Sequence, residues 1–266
     1  MHGRDLTRLL DAPTPLQALP GDLWVKRDDL FEALGATGGK ARTCLSIITE
    51  GGTPGGVAIT ASSRQSPQAI IVARIAAGLG LTSRIHMPAG AETPEMEAAR
   101  AAGAVVGAHK PGYNSVIIKR ADDDAAQTPG AVLVPFGMEC QEAIEQTRRA
   151  VAQTEIPAGV RRVVVAVGSG MTLAGLLHGL PPGLPVLGVR VGADPAKRLD
   201  KYAPDWRARV ELVEASEDYH KAVDATLDGI KLDPIYEAKC KPYLKPGDLF
   251  WIVGNREGPE GAGVPR

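Results

Sequence analysis

Two glycines precede a lysine in the run Gly35-Ala36-Thr37-Gly38-Gly39-Lys40-Ala41-Arg42, and a helical pattern begins at that point. The positive end of a helix pushes a lysine there towards its neutral amine. A neutral amine is what Schiff-base chemistry needs. A second run, residues 162–167, is a buried strand ending in Gly168-Ser169-Gly170-Met171-Thr172. Two glycines let a ligand approach the backbone, the amides at the helix start face outward, and two hydroxyls stand beside them. Such a turn favours a phosphate group. It is neither G-x-G-x-x-G, since position 173 is Leu, nor a Walker loop, since no Lys follows the second glycine. The third run, Thr60-Ala61-Ser62-Ser63-Arg64-Gln65-Ser66-Pro67-Gln68, joins a strand to a helix. Its hydroxyls and amides can hold a carboxylate or phosphate at the carboxyl edge of a sheet. Ser66 also reads as a helix N-cap with Pro67 at the first helical position.

The elements that must position these groups alternate along the chain. Strands are expected at 23–25, 57–60, 84–87, 104–106, 131–134, 162–167, 186–191 and 249–253. Helices are expected at 39–49, 66–79, 93–102, 114–126 and 140–153, with another opening at 172. The alternation predicts an α/β fold with a parallel sheet covered on both faces. Residues 193–233 are charged and weakly periodic and are left unassigned. The tail from Gly254 to Arg266 is rich in Gly and Pro, and its end is expected to be mobile.

With 266 residues the chain is long enough for one large domain or two small ones. Apolar residues make up 44% and charged residues 23%, which excludes a wholly disordered chain. A net charge of -1 argues against strong general nucleic-acid binding. No apolar run has the length of a membrane span, and the N-terminus has no apolar core followed by a small-residue cleavage site. Cys44, Cys140 and Cys240 are too few and too scattered for a disulfide framework or a metal site, so a cytoplasmic setting is expected. The five histidines show no metal spacing, and His178 reads as structural. Asp122-Asp123-Asp124 reads as a solvated face. Glu139 and Cys140 follow a strand and are candidates to border a pocket, and Tyr113, in Pro111-Gly112-Tyr113-Asn114, is a candidate to reach a ligand from a loop.

Taken in order, the three runs resemble pyridoxal-phosphate enzymes of the tryptophan synthase β-subunit fold, also called fold type II. The resemblance is nearest to the 1-aminocyclopropane-1-carboxylate deaminase and D-cysteine desulfhydrase branch. Thr14-Pro15-Leu16 and Lys26-Arg27-Asp28-Asp29-Leu30 match that branch, as do Gly38-Gly39-Lys40-x-Arg42, Gln65-Ser66 and Gly168-Ser169-Gly170-x-Thr172. The match runs from about residue 13 to 192 and then fades.

The resemblance implies a two-lobed α/β protein. Residues 1–53 and 146–266 would form the larger, cofactor-binding lobe and residues 54–145 a smaller inserted lobe, with the ligands between them. Lys40 would hold pyridoxal phosphate as an imine and, once displaced, act as the base at the substrate α-carbon, with Ser66 as a second catalytic candidate. Gly168, Ser169, Gly170, Met171 and Thr172 would hold the phosphate. Ser63, Gln65 and Ser66 would face the substrate carboxylate, with Tyr113 nearby.

This sequence departs from the branch at two cofactor contacts. Pro67 stands where the branch has Asn, which leaves Gln65 and Gln68 as the nearest amides. Val253 stands at or near the place of a hydroxyl facing the pyridine nitrogen, which leaves Asn255 as the nearest polar candidate.

The implied activity is that of a pyridoxal-phosphate-dependent lyase or deaminase acting on an amino acid by α,β-elimination and deamination, ahead of β-replacement and decarboxylation. The chain ends soon after its last strand, where relatives continue. An open site would admit an amino acid carried on a peptide or a modified nucleobase, and this is kept as an alternative. A non-catalytic pyridoxal-phosphate- or phosphate-binding protein is another. A homodimer is an open expectation.

Overall fold

The computed structural model describes residues 3–110 and 112–256. Pro111 and the tail end expected to be mobile, 257–266, lie outside the described residues.

In chain order the elements begin with α1 (Gly3–Leu10), β1 (Leu16–Leu19) and β2 (Leu23–Arg27). Two short strands, β3 (Glu32–Ala33) and β4 (Ala36–Thr37), lead into α2 (Gly39–Gly51). Then follow β5 (Val57–Ala61), α3 (Gln68–Gly78), β6 (Thr82–Pro88), α4 (Pro94–Ala101), β7 (Ala104–His109), α5 (Asn114–Gln127) and β8 (Val132–Val134). The chain continues with α6 (Gln141–Ala152), β9 (Arg162–Val167), α7 (Met171–Gly179), β10 (Val186–Arg190), α8 (Ala196–Tyr202) and β11 (Val210–Glu214). A short hairpin, β12 (Thr226–Leu227) and β13 (Ile230–Lys231), a 3-10 helix (Glu237–Tyr243) and β14 (Asp248–Ile252) complete the described chain.

The expected alternation is present, with ends displaced by a few residues. The sequence reading lacked α1, β1, α8, β11 and the two short hairpins. No helix among the described residues is long and apolar enough to cross a membrane.

The described residues form two compact units. One contains α1 and Glu32–Glu142; the other contains Asp11–Phe31 and the chain from Ala143 onwards. The sequence boundary at 53/54 assigns Lys40 to the larger lobe, whereas the structure groups residues 32–53 with the first unit. The physical reason is packing: α2 lies against α3 and β8.

The first unit is built on a parallel sheet in the order β7-β6-β5-β8. Its central strand β5, Val-Ala-Ile-Thr-Ala, is buried at every position, as a strand covered on both faces must be. On one face Ile85 and Met87 pack with Ala69, Ala73, Met96 and Ala99 of α3 and α4. On the other Val57, Ile59 and Ala61 pack with Ile117 and Ala121 of α5. The expected cap of α4 is present, with Pro94 in the first turn and Met96 N donating to Thr93 Oγ1 at 3.4 Å.

The acidic run 122–124 requires a correction. Position 124 continues the inward stripe of Ile117 and Ala121, so Asp124 turns towards the sheet and accepts from His86 Nε2 at 2.9 Å. With its proton on Nε2, His86 accepts at Nδ1 from His109 Nε2 at 2.8 Å. Arg84 pairs with the same carboxylate at 2.9 Å.

The second unit is built on a sheet in the order β1-β2-β14-β9-β10-β11. It is parallel except for β1, which runs antiparallel to β2. Arg162 grips Asp248 through Nε at 2.9 Å and Nη2 at 2.7 Å, fixing the starts of β9 and β14 side by side.

The run Lys26-Arg27-Asp28-Asp29 is a buried polar knot beside these strands. Lys26 Nζ donates to Thr14 O at 2.6 Å and stands 5.8 Å from the centre of the Trp251 ring. Arg27 forks onto Asp29 at 2.9 and 2.8 Å, and Thr14 Oγ1 donates to Asp28 Oδ1 at 3.3 Å. Such charges stay buried only when they are paired and hydrogen-bonded. This motif therefore fixes the β1–β2 turn-back.

Candidate active site

In the second unit β9 runs buried from Val163 to Val167 and passes through Gly168-Ser169-Gly170 into α7. Gly170 is the N-cap in the left-handed region at φ 90°, with no side-chain cap. A Cβ on Gly170 would lie 2.9 Å from Pro195 Cβ, and one on Gly168 would lie 3.0 Å from Tyr236 Cε1. At Gly170 the backbone and the contact both favour glycine, and at Gly168 a side chain would require the Tyr236 ring to give way. The first amides of α7 have no carbonyl of their own helix to bond, and they gather partial positive charge at the strand end. The five residues expected to hold a phosphate thus form one backbone cradle.

The registers Val167↔Arg190 and Val165↔Trp251 bring the ends of β9, β10 and β14 level. At that edge lie three groups absent from the sequence reading. Tyr236 packs under Gly168, and Tyr219 lies against Gly192 just after β10, 3.5 Å from where a Cβ would stand. Their hydroxyls are 3.2 Å apart and their rings meet edge to face at 6.0 Å. Burial, then the neighbouring Tyr219, pushes the Tyr236 phenol well above its ordinary pKa.

The third group, Glu237, is 3% exposed. Its carboxylate accepts from Val253 N at 3.1 Å and Gly254 N at 3.3 Å, directly after β14. Burial, then Asp233, pushes its pKa up to about 8, against which the backbone amides act. An acidic oxygen therefore sits on the backbone amides of Val253 and Gly254, next to the position where a side-chain hydroxyl was expected. Asn255, the polar candidate for that place, donates through Nδ2 to Lys231 O at 3.0 Å.

Asp233 shapes this corner. Its Oδ1 accepts from Ile235 N at 2.9 Å and Tyr236 N at 3.0 Å, starting the turn that presents Tyr236 and Glu237. Arg256 Nε holds its other oxygen at 2.8 Å. The dipeptide Asp233-Pro234 was a readable turn signal. Nothing periodic flagged the tyrosine or the glutamate after it.

In the first unit Lys40 is half-buried in the opening turn of α2. The N-cap, Gly38, has φ 90° and no side-chain cap. Ser63, Gln65 and Ser66 are half-buried in the turn after β5. Ser62 N donates to His86 O at 3.0 Å, Ser66 N to Ser63 O at 3.2 Å, and Gln68 N to Ser66 Oγ at 3.3 Å. The helix begins one residue later than expected: Pro67 is the N-cap, and Ser66 Oγ accepts from Gln68 N just ahead of it.

Gln68 is 1% exposed, and its Nε2 donates to Thr60 Oγ1 and Pro135 O, each at 2.8 Å. Its amide nitrogen ties β5, α3 and the end of β8 together. Glu139 and Cys140 follow four and five residues after Pro135, and Cys140 N donates to Met138 O at 2.9 Å. Tyr113 is 85% exposed at the start of α5.

Over residues 3–248 the chain matches the family model described as pyridoxal-phosphate dependent enzyme. The chain belongs to this family. Its cofactor is accordingly pyridoxal phosphate and its fold is the tryptophan synthase β-like fold type II. No curated protein sequence matches it.

Several solved structures are similar to it. An ACC deaminase homologue shares 25% identity, with 97% of this chain and 96% of that chain covered and a TM-score of 0.76. A threonine deaminase from T.th. shares 19% identity, with both chains covered at 100% and a TM-score of 0.65. An O-acetylserine dependent cystathionine beta-synthase from Helicobacter pylori shares 16%, covering 93% of this chain and 94% of that one, with a TM-score of 0.62.

The residues present fit the family's cofactor. An added Cβ at Gly170 would crowd Pro195, the amides at the start of α7 suit a phosphate, and a carboxyl group lies buried at the neighbouring strand end.

Proposed function

We propose that the chain acts on an amino acid by α,β-elimination with deamination. The observation that carries this reading is the edge of the second unit's sheet. There an anion cradle, two phenols in mutual hydrogen bond and a buried carboxyl group stand at adjoining strand ends.

When bound, pyridoxal phosphate supplies a carbonyl carbon that amines attack and a ring that takes up an electron pair from the α-carbon. The chain's own residues do the rest. The Lys40 amine would hold the cofactor and would serve as the base for the proton on the substrate α-carbon. The amides of residues 168–172 hold the phosphate. Glu237 would supply the acidic group for the cofactor's ring nitrogen, in place of the hydroxyl that Val253 lacks. Ser63, Gln65 and Ser66 orient the substrate carboxylate, and Tyr219 and Tyr236 hold and pass protons on the substrate side. A cytoplasmic setting belongs to this reading, supported by three cysteines that form no disulfide.

Borohydride reduction of the protein with pyridoxal phosphate, followed by peptide mapping, tests the attachment. A reduced pyridoxyl adduct on Lys40, absent from Lys40→Ala, is expected. A screen of free amino acids for keto-acid and ammonia release then tests the reaction. Turnover confined to amino acids carried on a peptide or nucleobase would overturn the free substrate. An adduct whose spectrum responds to no amine-bearing compound would make the chain a binding protein.

A further inference from the structure

Lys239 is 2% exposed, and no role in the proposed chemistry uses it. It sits on the same 3-10 helix as Glu237, three residues after Tyr236, which caps that helix. Its Nζ donates to Asp218 O at 2.7 Å and to Tyr219 O at 3.2 Å. Burying an ammonium group is costly unless its donors are met. An apolar side chain of similar length would fill the space without that cost. The acceptors are two consecutive backbone carbonyls in residues 215–225, a stretch with no helix or strand. Without a regular ladder, the placement of such a segment depends on individual bonds.

We infer that Lys239 is a positioning residue that holds the backbone of Tyr219 so that its hydroxyl meets that of Tyr236. The inference rests on the reading above, in which the two phenols serve the reaction. One short helix then does three jobs. Tyr236 offers a phenol, Glu237 closes on the amides after β14, and Lys239 draws in the segment bearing the second phenol. The ring of Tyr219 rests against Gly192, so a retreat of residues 218–219 moves the hydroxyl away from the strand ends.

Lys239→Met tests this in the holoenzyme. Turnover number should fall at least tenfold with KM within about threefold of the parent. In a Tyr219→Phe background the same change should have almost no further effect, because the positioned hydroxyl is already gone. Lys239→Arg, which can still donate to two carbonyls, should restore most of the turnover. Amide exchange of residues 215–225 should quicken in Lys239→Met while that of β9 and β14 stays slow.

Effects of Lys239→Met and Tyr219→Phe that multiply would overturn the inference, as would unchanged exchange at 215–225. Should Lys239→Met not fold, Lys239→Gln takes its place in the same cycle. The apoprotein carries a separate arm, nitration of Tyr219 by tetranitromethane, which Lys239→Met should accelerate. Failure of cofactor attachment would sink the functional reading and leave that arm to decide on Lys239 alone.

Discussion

The hydroxyl oxygens of Tyr219 and Tyr236 stand 3.2 Å apart, although one residue lies in an irregular segment and the other at the start of a 3-10 helix. Each ring lies against a glycine just past a strand end, Gly192 after β10 and Gly168 after β9. The two phenols thus meet at the carboxyl ends of β9 and β10, each with its ring against backbone. From this pair, and from the groups around it, distinct outcomes are expected.

Tyr236→Phe removes the more buried phenol and leaves Tyr219 without this partner. Turnover should fall by about 10²–10⁴-fold if the pair passes a proton in the rate-limiting step. Folding stability should drop by only about 1 kcal/mol. Because burial raises the Tyr236 pKa, the native protein should show a tyrosine that ionises later than the rest in an alkaline absorbance titration. That late component should vanish in the variant. Stability tied to this phenol is present below the ordinary tyrosine range and is lost as pH rises above it.

Glu237 sets a second pH dependence. Its pKa in the folded protein is raised to about 8, so the native state keeps a proton that the unfolded chain releases. The linked stability is full below the ordinary carboxylate range and is lost as pH rises towards about 8, with a limiting slope of ~1.4 kcal/mol per pH unit. Glu237→Gln, neutral throughout, should flatten this slope. Urea unfolding of the apoprotein between pH of about 5 and about 8 would show it. An unchanged slope would mean that another group carries it.

Gly170→Ala should weaken pyridoxal phosphate binding at least tenfold. The left-handed backbone costs an L-residue about 1–2 kcal/mol, and the added methyl meets the rigid Pro195 ring at 2.9 Å. Gly183→Ala is the control, since Gly183 has φ 84° and nothing within 4 Å of the added atom. It should cost stability alone. Titration of each apoprotein by fluorescence quenching separates the two effects.

Gln68→Leu distinguishes a structural role from direct contact with the cofactor. It leaves Pro135 O and Thr60 Oγ1 without the donor each has at 2.8 Å. The apoprotein should lose about 1–3 kcal/mol in denaturant unfolding. Were Gln68 a cofactor contact only, the apoprotein would keep its stability and pyridoxal phosphate affinity alone would fall.

The sequence by itself determined the longer strands and helices from β2 to β10, together with β14, because their signals are local. A run such as Arg162–Val167 reads as a buried strand, and Thr93-Pro94 reads as a helix start from neighbouring residues alone. The same holds for the glycine turn at 168–170 and for Lys40 at a helix start, each marked by residue types within a few positions. Family membership followed from the order of such local marks.

Tertiary structure alone decided what stands beside the cradle. Tyr219 and Tyr236 belong to no periodic pattern, so nothing local predicts their meeting. The site of Glu237 depends on β14 inserting between β2 and β9, a pairing of strands far apart in the chain. Even the side of Asp124 that faces the sheet, within a run of three aspartates, followed from which face of α5 packs on β5 and β6. Side chains brought together by strand order carry no mark in their own neighbourhood, because the free energy that holds them comes from partners distant in sequence.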